Sequence, residues 1–207
     1  MKVLVFGAHP DDMEIGMGGT IAKHAHSGDA VLMVVATVPS QHERRRQEAE
    51  QGAEILGAQF SSLDIPVEEL EYDRALIGRV DAILDDFSPD VIYTHWYQDS
   101  HQDHQTIFRA VISAARKNRS SLLMYEQTIP GGIVPGGFKA QSFVDISEFI
   151  DDKIRSIMAH QSQQEVLGDG WLEGVRGRAM YRGYQINVAY AESFEVVKEI
   201  ETSFRFR

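Results

Sequence analysis

Apolar residues fall along this chain in two recurring patterns. Short continuous runs rich in β-branched residues alternate with longer stretches whose apolar positions recur every three or four residues. Lys2–Ala8 and Ala30–Thr37 are nearly uninterrupted, the pattern of strands buried on both faces. Asp90–Thr94 and Leu122–Glu126 are shorter runs of the same kind, Phe60–Leu63 is a weaker one, and Ser142–Ile146 is a short late strand. Between them the helical period predicts helices over Asp12–Ser27, Gln41–Leu56, Asp73–Phe87, Asp103–Lys117, Glu148–Gln163 and Trp171–Arg182. Gly28 and Gly57 stand where the first two should stop. Buried strands alternating with helices predict an α/β fold, a Rossmann-like three-layer sandwich with a mostly parallel central sheet. Glycine and proline mark 129–137 as a loop, and a loop of this length in a compact domain tends to be functional. No repeat, low-complexity tract or linker divides the sequence, so residues 1–207 read as one domain.

Composition narrows the chemistry. Twenty Lys and Arg against 31 Asp and Glu leave a net charge of −11, a field that repels nucleic acid and anionic membrane surfaces. There is no cysteine, which excludes disulfides, thiolate zinc sites and cysteine nucleophiles; His, Asp and Glu remain as metal ligands. The first apolar run stops at His9-Pro10, and the longest later one, Val31–Val38, is far short of the ~20 residues of a membrane helix. The expectation is a soluble, cytoplasmic protein with no membrane insertion and no nucleic-acid partner.

In an open parallel sheet, ligands bind beyond the carboxyl ends of the strands. Two such ends carry unusual residues. The first strand runs into His9-Pro10-Asp11-Asp12, and the fourth into His95-Trp96-Tyr97-Gln98-Asp99-Ser100-His101-Gln102-Asp103-His104. Each cluster alone is weak, since Asp12 has the bland role of a helix cap. Together they form a candidate His/Asp/His metal site. A catalytic zinc takes three protein ligands and keeps one position open. His9 and Asp12, three apart on the first turn of a helix, would both reach a metal, while Asp11 between them would point elsewhere and act on water. His101 and His104 share that spacing, so one can bind metal and the other face the substrate. His24, His26, His42, His95 and His160 compete as ligands, with His24 and His26 expected on an exposed helix face and His95 behind the ligands.

Gly16, Gly18 and Gly19 read as close helix–strand packing. They do not form a dinucleotide-binding glycine motif, and neither a P-loop nor a nucleophile elbow occurs. Among the three arginines 44–46, Arg44–Glu48 and Arg46–Glu50 are helix-spaced ion pairs, which leaves Arg45 either solvated or gripping a substrate hydroxyl or phosphate.

The segments Ala8-His9-Pro10-Asp11-Asp12-Met13-Glu14-Ile15-Gly16 and His101-Gln102-Asp103-His104 resemble the signatures of the LmbE-like, or PIG-L, zinc-dependent N-acetyl-sugar deacetylases. Arg45-x-x-Glu48 through Leu56-Gly57 resembles the second helix of that family. Asp145-Ile-Ser147, Lys153, His160-x-Ser-Gln163 and Ala191-Glu192-Ser-Phe194 resemble its C-terminal pattern. The likeness spans 3–197 and is thin across 58–90 and 127–141. It implies Zn2+ held by His9, Asp12 and His104. It makes Asp11 the general base, and later the acid toward the leaving amine. His101 would stabilise the oxyanion, and Asp103 would hold the histidines from behind. Family members can carry a tyrosine where this chain has Asp99, which removes one oxyanion partner and leaves Tyr97 as the nearest phenol. The implied substrate is a small N-acetylated amino sugar or sugar conjugate of the N-acetylglucosamine type, and the implied assembly is a homo-oligomer, trimer or hexamer. Trp96, in the site-forming loop, is then a candidate platform for a sugar ring, and Trp171 a core residue. Two other readings compete: a non-catalytic sugar-phosphate or nucleotide-sugar binding module, which has no use for Asp11, and an iron(II) oxygenase built on two histidines and a carboxylate.

Overall fold

The computed structural model describes residues 1–127, 136–168 and 170–200. The alternation resolves into β1 (Lys2–Gly7), α1 (Asp12–His26), β2 (Ala30–Val35), α2 (His42–Ile55), β3 (Gln59–Ser62), α3 (Arg74–Phe87), β4 (Val91–His95), α4 (Gln102–Ala114) and β5 (Ser121–Tyr125). Then come β6 (Ser142–Asp145), α5 (Ile150–Met158), α6 (Gln161–Leu167), α7 (Gly170–Ile186) and β7 (Ala191–Lys198). The sheet order is β3-β2-β1-β4-β5-β7-β6. The first five strands are parallel, and β7 pairs antiparallel with both β5 and β6. From β1 the chain builds outward through β2 and β3, then returns to place β4 on the other side. The crevice of a doubly wound sheet therefore opens between the ends of β1 and β4.

β1 explains why its sequence is apolar throughout. Leu4 and Phe6 face a core built with Leu76, Val80, Leu84, Ile107 and Val111 from α3 and α4. Val3 and Val5 face the opposite core with Met13, Met17 and Ile21 of α1. Each such side chain, wholly withdrawn from water, contributes roughly 1.5–3 kcal/mol. α1 packs closely against its neighbours, as the glycines lead one to expect. A Cβ on Gly16 would collide with the Tyr125 ring, and one on Gly19 would lie 2.7 Å from Ile146.

Several elements differ from the sequence reading. The strand β7 was absent from it because Glu192 and Glu195 interrupt the apolar pattern; both are buried as acceptors of internal donors, including the Trp96 indole and two amides of α1. The helix expected over Glu148–Gln163 breaks after Met158, where His160 turns inward to Glu14 and α6 starts anew. α4 begins at Gln102 and ends in a 3-10 turn over Ala115–Lys117, and α7 runs on to Ile186. Of the loop expected at 129–137, residues 129–135 lie outside the described residues. No helix among the described residues is long and apolar enough to cross a membrane.

Candidate active site

The turn from β1 into α1 is set by its own polar atoms. Asp12 accepts the backbone N–H of His9 on Oδ2 at 2.7 Å, which folds the carboxylate back under the histidine. His9 therefore precedes the helix, and its closeness to Asp12 comes from this turn and not from a shared helical face. Asp11 sits between them with φ 93°, in the left-handed region that costs a non-glycine residue of order 1 kcal/mol or more. This backbone reversal separates the two adjacent carboxylates.

The second cluster follows β4. His95 lies inside the protein, and its Nε2 accepts the N–H of Ala8 at 2.9 Å, tying the end of β4 to the end of β1. Asp99 accepts the N–H of His101 on Oδ1 at 2.8 Å. His101 caps α4, its Nδ1 accepting the N–H of Asp103 at 3.2 Å. His104, one turn into α4, is wholly buried and sandwiched between the rings of His95 (centroids 3.9 Å apart) and His101 (4.6 Å).

The two clusters converge on Asp12. His9 Nε2 meets Asp103 Oδ2 at 2.9 Å, while its Nδ1 lies 3.6 Å from Asp12 Oδ2. His104 Nδ1 lies 3.1 Å from Asp99 Oδ2, and its Nε2 lies 3.3 Å from Asp12 Oδ1. Neither nitrogen of His104 has the alignment of a hydrogen bond. Each histidine thus leans one nitrogen on a carboxylate and aims the other at a third. That is how proteins orient imidazoles for a metal. Among the described residues, donor atoms within 4.8 Å of one another come from His9, His101 and His104 in one group and from Asp12, His95 and His104 in another, so imidazoles and a carboxylate that suit a metal meet around His104. His95 fits less well, because Ala8 already uses its inward lone pair. His101 Nδ1 is likewise occupied by an amide, so the neutral ring carries its proton on Nε2 and is a donor there.

Electrostatics sharpens the division of roles. Burial lowers His9 and His104, yet the Asp103 and Asp12 carboxylates outweigh it at His9, and Asp12 with Asp99 outweigh it at His104; the two rise to about 9 and about 10. A site with so much carboxylate calls for positive charge, as protons on these rings or as a bound cation. His95 is pushed down to about 4 by burial and the neighbouring His104. His101 is lowered by burial and then by His104 and His9. Asp11 is raised to about 7 by burial, reinforced by the Asp12 charge.

His9, Asp11, Asp12, His101 and His104 line a cleft of about 250 Å³ shared with Arg45, Pro39, Ile15, Gln163 and Leu167. Arg45 does turn inward: it is buried, and its Nη2 donates to the Pro10 carbonyl at 3.1 Å. Its neighbours make the expected helix pairs, Arg44–Glu48 at 3.1 Å and Arg46–Glu50 at 3.3 Å. Trp96 is not among the cleft's lining residues. It is 6% exposed, with its indole N–H donating to Glu195 at 2.9 Å, so the platform expected of it has no face open to the cleft. Tyr97 packs on Phe108 and does not line the cleft. Trp171 lies in the core with Ile15 and Ile157. His26 is exposed, but His24 is half-buried between Asp29 and Tyr93. Asp99 as the supporter of His104 and Glu14 as the partner of His160 were not legible as such, although both lie within the segments singled out above.

A mostly parallel α/β sheet with a buried His/Asp cluster at its switch point defines an α/β protein with a candidate metal centre at the strand ends. The family model for PIG-L, GlcNAc-PI de-N-acetylase, matches residues 4–115, and the chain belongs to this family. Diacetylchitobiose deacetylase of Thermococcus kodakarensis is 31% identical over 224 residues, covering 96% of this chain and 84% of its own. Among solved structures, the conserved protein TT1542 from Thermus thermophilus superposes with a TM-score of 0.85 at 25% identity, covering 97% of this chain and 96% of that one. A 4-carboxy-2-hydroxymuconate hydratase from Pseudomonas putida has a TM-score of 0.83 at 22% identity, with 99% of both chains covered, a likeness of fold alone.

Proposed function

We propose that this chain is a zinc-dependent N-deacetylase that hydrolyses the acetamide of an N-acetylglucosamine-type sugar or sugar conjugate. The observation that carries the reading is the convergence on Asp12 of two imidazoles, each braced from behind by its own carboxylate. The 31% identity to a diacetylchitobiose deacetylase supports the substrate class. His9, Asp12 and His104 would hold the metal, which when bound supplies a Lewis acid for the acetyl carbonyl and the attacking water.

The remaining steps belong to the chain's own side chains. Asp11, in the cleft and with burial raising its carboxyl above the ordinary range, takes a proton from water as the water oxygen adds to the amide carbon. His101, a neutral ring with its proton on Nε2, donates to the carbonyl oxygen as negative charge builds there. Asp11 then returns the proton to the amide nitrogen, the C–N bond breaks, and acetate and the free amine leave. Asp103 and Asp99 keep His9 and His104 oriented throughout. Arg45 borders the cleft and offers its guanidinium to substrate oxygens.

Several further properties belong to this reading. The whole of 1–207 works as one domain, in the cytoplasm. The chain assembles as a homo-oligomer, a trimer or hexamer, supported by Met180, Tyr181 and Tyr184 at 52%, 57% and 83% exposure on α7. The substrate is a small molecule, and nucleic acid and membrane are not partners. The test is acetate release from a panel of N-acetylglucosamine derivatives (free, phosphorylated, nucleotide-linked and glycoside-linked), with bound zinc quantified on the same preparation. Because a hydratase shares the fold, fold alone does not decide the chemistry. Zinc-loaded protein that releases no acetate from any member would overturn the reading.

A further inference from the structure

α1 is not one helix. Met17, at φ −151° and ψ 27°, breaks it between the segment that carries the acidic residues and the longer segment behind. In an unbroken helix the amides of Gly19 and Thr20 would meet the carbonyls of Ile15 and Gly16. Here Glu192 of β7 takes both amides, Gly19 N–H on Oε1 at 3.1 Å and Thr20 N–H on Oε2 at 2.7 Å. On the other side of the break, Lys153 of α5 donates to the carbonyls of Glu14 at 3.0 Å and Ile15 at 2.8 Å. Its third proton goes to Glu192 Oε1 at 2.5 Å. Arg178 of α7 adds a second donor to Ile15 at 2.6 Å. Lys153 and Glu192 are 1% and 4% exposed, so this ion pair is sealed from water with every ammonium proton used.

We propose that Lys153 and Glu192 are positioning residues for the active site: together they replace the missing turn of α1 and hold Asp11 and Asp12 in register from behind. The front segment, Asp12–Gly16, is too short to hold itself as a helix, since isolated helices below roughly 12–15 residues are marginal in water. Its cap, Asp11, makes no capping hydrogen bond through its side chain. Its place is therefore set by what grips it, and the grip on its last carbonyls is Lys153 and Arg178. A buried ion pair is a costly way to stabilise a fold, since apolar residues of similar volume often do as well. Its value lies in fixing one geometry, and here that geometry ends at a metal site and a general base.

The inference rests on the deacetylase reading for its catalytic consequence but not for its structural one. The experiment compares wild type with Lys153→Met/Glu192→Gln, which removes both charges together, and with Lys153→Arg, which keeps a cation. Three readouts are taken: amide hydrogen exchange of metal-depleted protein resolved over residues 8–22, zinc affinity by competition with a chromophoric chelator, and kcat and KM on the best acetylated substrate. The double variant should unfold cooperatively and lose exchange protection over 10–20 while β2 and β4 keep theirs. Its zinc affinity and kcat should fall roughly 10–100-fold with KM changed far less, and Lys153→Arg should recover part of each. Wild-type exchange over 10–20 together with wild-type zinc affinity in a folded double variant would overturn the proposal. Should the double variant not fold, Gly18→Ala decides, because its Cβ meets Lys153 Cγ at 3.2 Å and crowds the stem without removing a charge. Altered exchange confined to 10–20 supports the splint, and unaltered exchange refutes it. A failure of the deacetylase reading would appear separately, as wild-type protein without acetate release but with the exchange difference intact.

Discussion

Asp11→Asn should move activity and stability in opposite directions. Asparagine keeps the size of the side chain and tolerates the left-handed backbone that Asp11 adopts at φ 93°, so the turn between His9 and Asp12 should survive. What disappears is the proton acceptor, and the loss expected for a general base is roughly 10²–10⁴ in kcat. Zinc content should stay near that of wild type, because His9, Asp12 and His104 are untouched. The stability effect has the other sign. Burial raises the Asp11 carboxyl from an ordinary 3.8 to about 7, so in metal-depleted protein the folded state holds that proton more tightly than the unfolded chain does. Wild type therefore loses stability as pH climbs from about 4 to about 7, by a ceiling of about 4 kcal/mol, and Asn does not share that loss. Denaturant unfolding of the two metal-depleted proteins at pH 5 and pH 8 reads the difference directly. The variant's advantage should be larger at pH 8. Robust turnover by Asp11→Asn, or a variant less stable than wild type at pH 8, would remove Asp11 from the role given to it.

Three further outcomes follow from the same geometry. His104→Ala and Asp12→Asn should each purify with little zinc, whereas His101→Ala should keep its zinc and lose roughly 10²–10³ in kcat, the scale of one oxyanion donor; metal analysis beside kinetics separates them, and zinc loss in His101→Ala would exchange the two histidines. Asp99→Asn, by weakening the brace on His104, should lower zinc affinity roughly 10–100-fold in a chelator competition, and an unchanged affinity would return Asp99 to loop structure. Arg45→Ala should raise KM with a smaller change in kcat, while Trp96→Phe should leave KM unaltered and cost roughly 1–3 kcal/mol in chemical denaturation by leaving Glu195 with the Lys139 amide but no indole donor, the reverse of what a sugar platform would do.

The sheet and its cores were legible because both faces of β1, β2 and β4 are covered, so nearly every position in them is apolar and the run needs no partner to be recognised. The residues of the candidate site were legible for a related reason. With no cysteine in the chain, His and Asp clustered at two strand ends leave few other donors, and parallel topology brings such ends together.

What stayed hidden in the sequence is the pairing of buried charge. β7 carries Glu192 and Glu195 where an inner strand should be apolar, and the α5–α6 helix breaks at His160; each polar residue is matched by a donor far along the chain. His160 meets Glu14 across 146 residues, Glu192 meets Gly19 across 173, and His9 meets Asp103 across 94. A hydrophobic period records whether a position is wet or dry, and a buried carboxylate with its partner reads as wet. Only the folded chain makes it dry. The same holds within the site. Sequence spacing put Asp11 and Asp12 on a helix, but the left-handed turn at Asp11 and the break at Met17 orient them. The break depends on contacts from α5 and β7 that no local pattern contains. The sequence determined which side chains could do chemistry and at which end of the sheet they would gather. The tertiary structure decided which imidazoles face Asp12 and which carboxylates stand behind them, because those contacts join segments that meet only on folding.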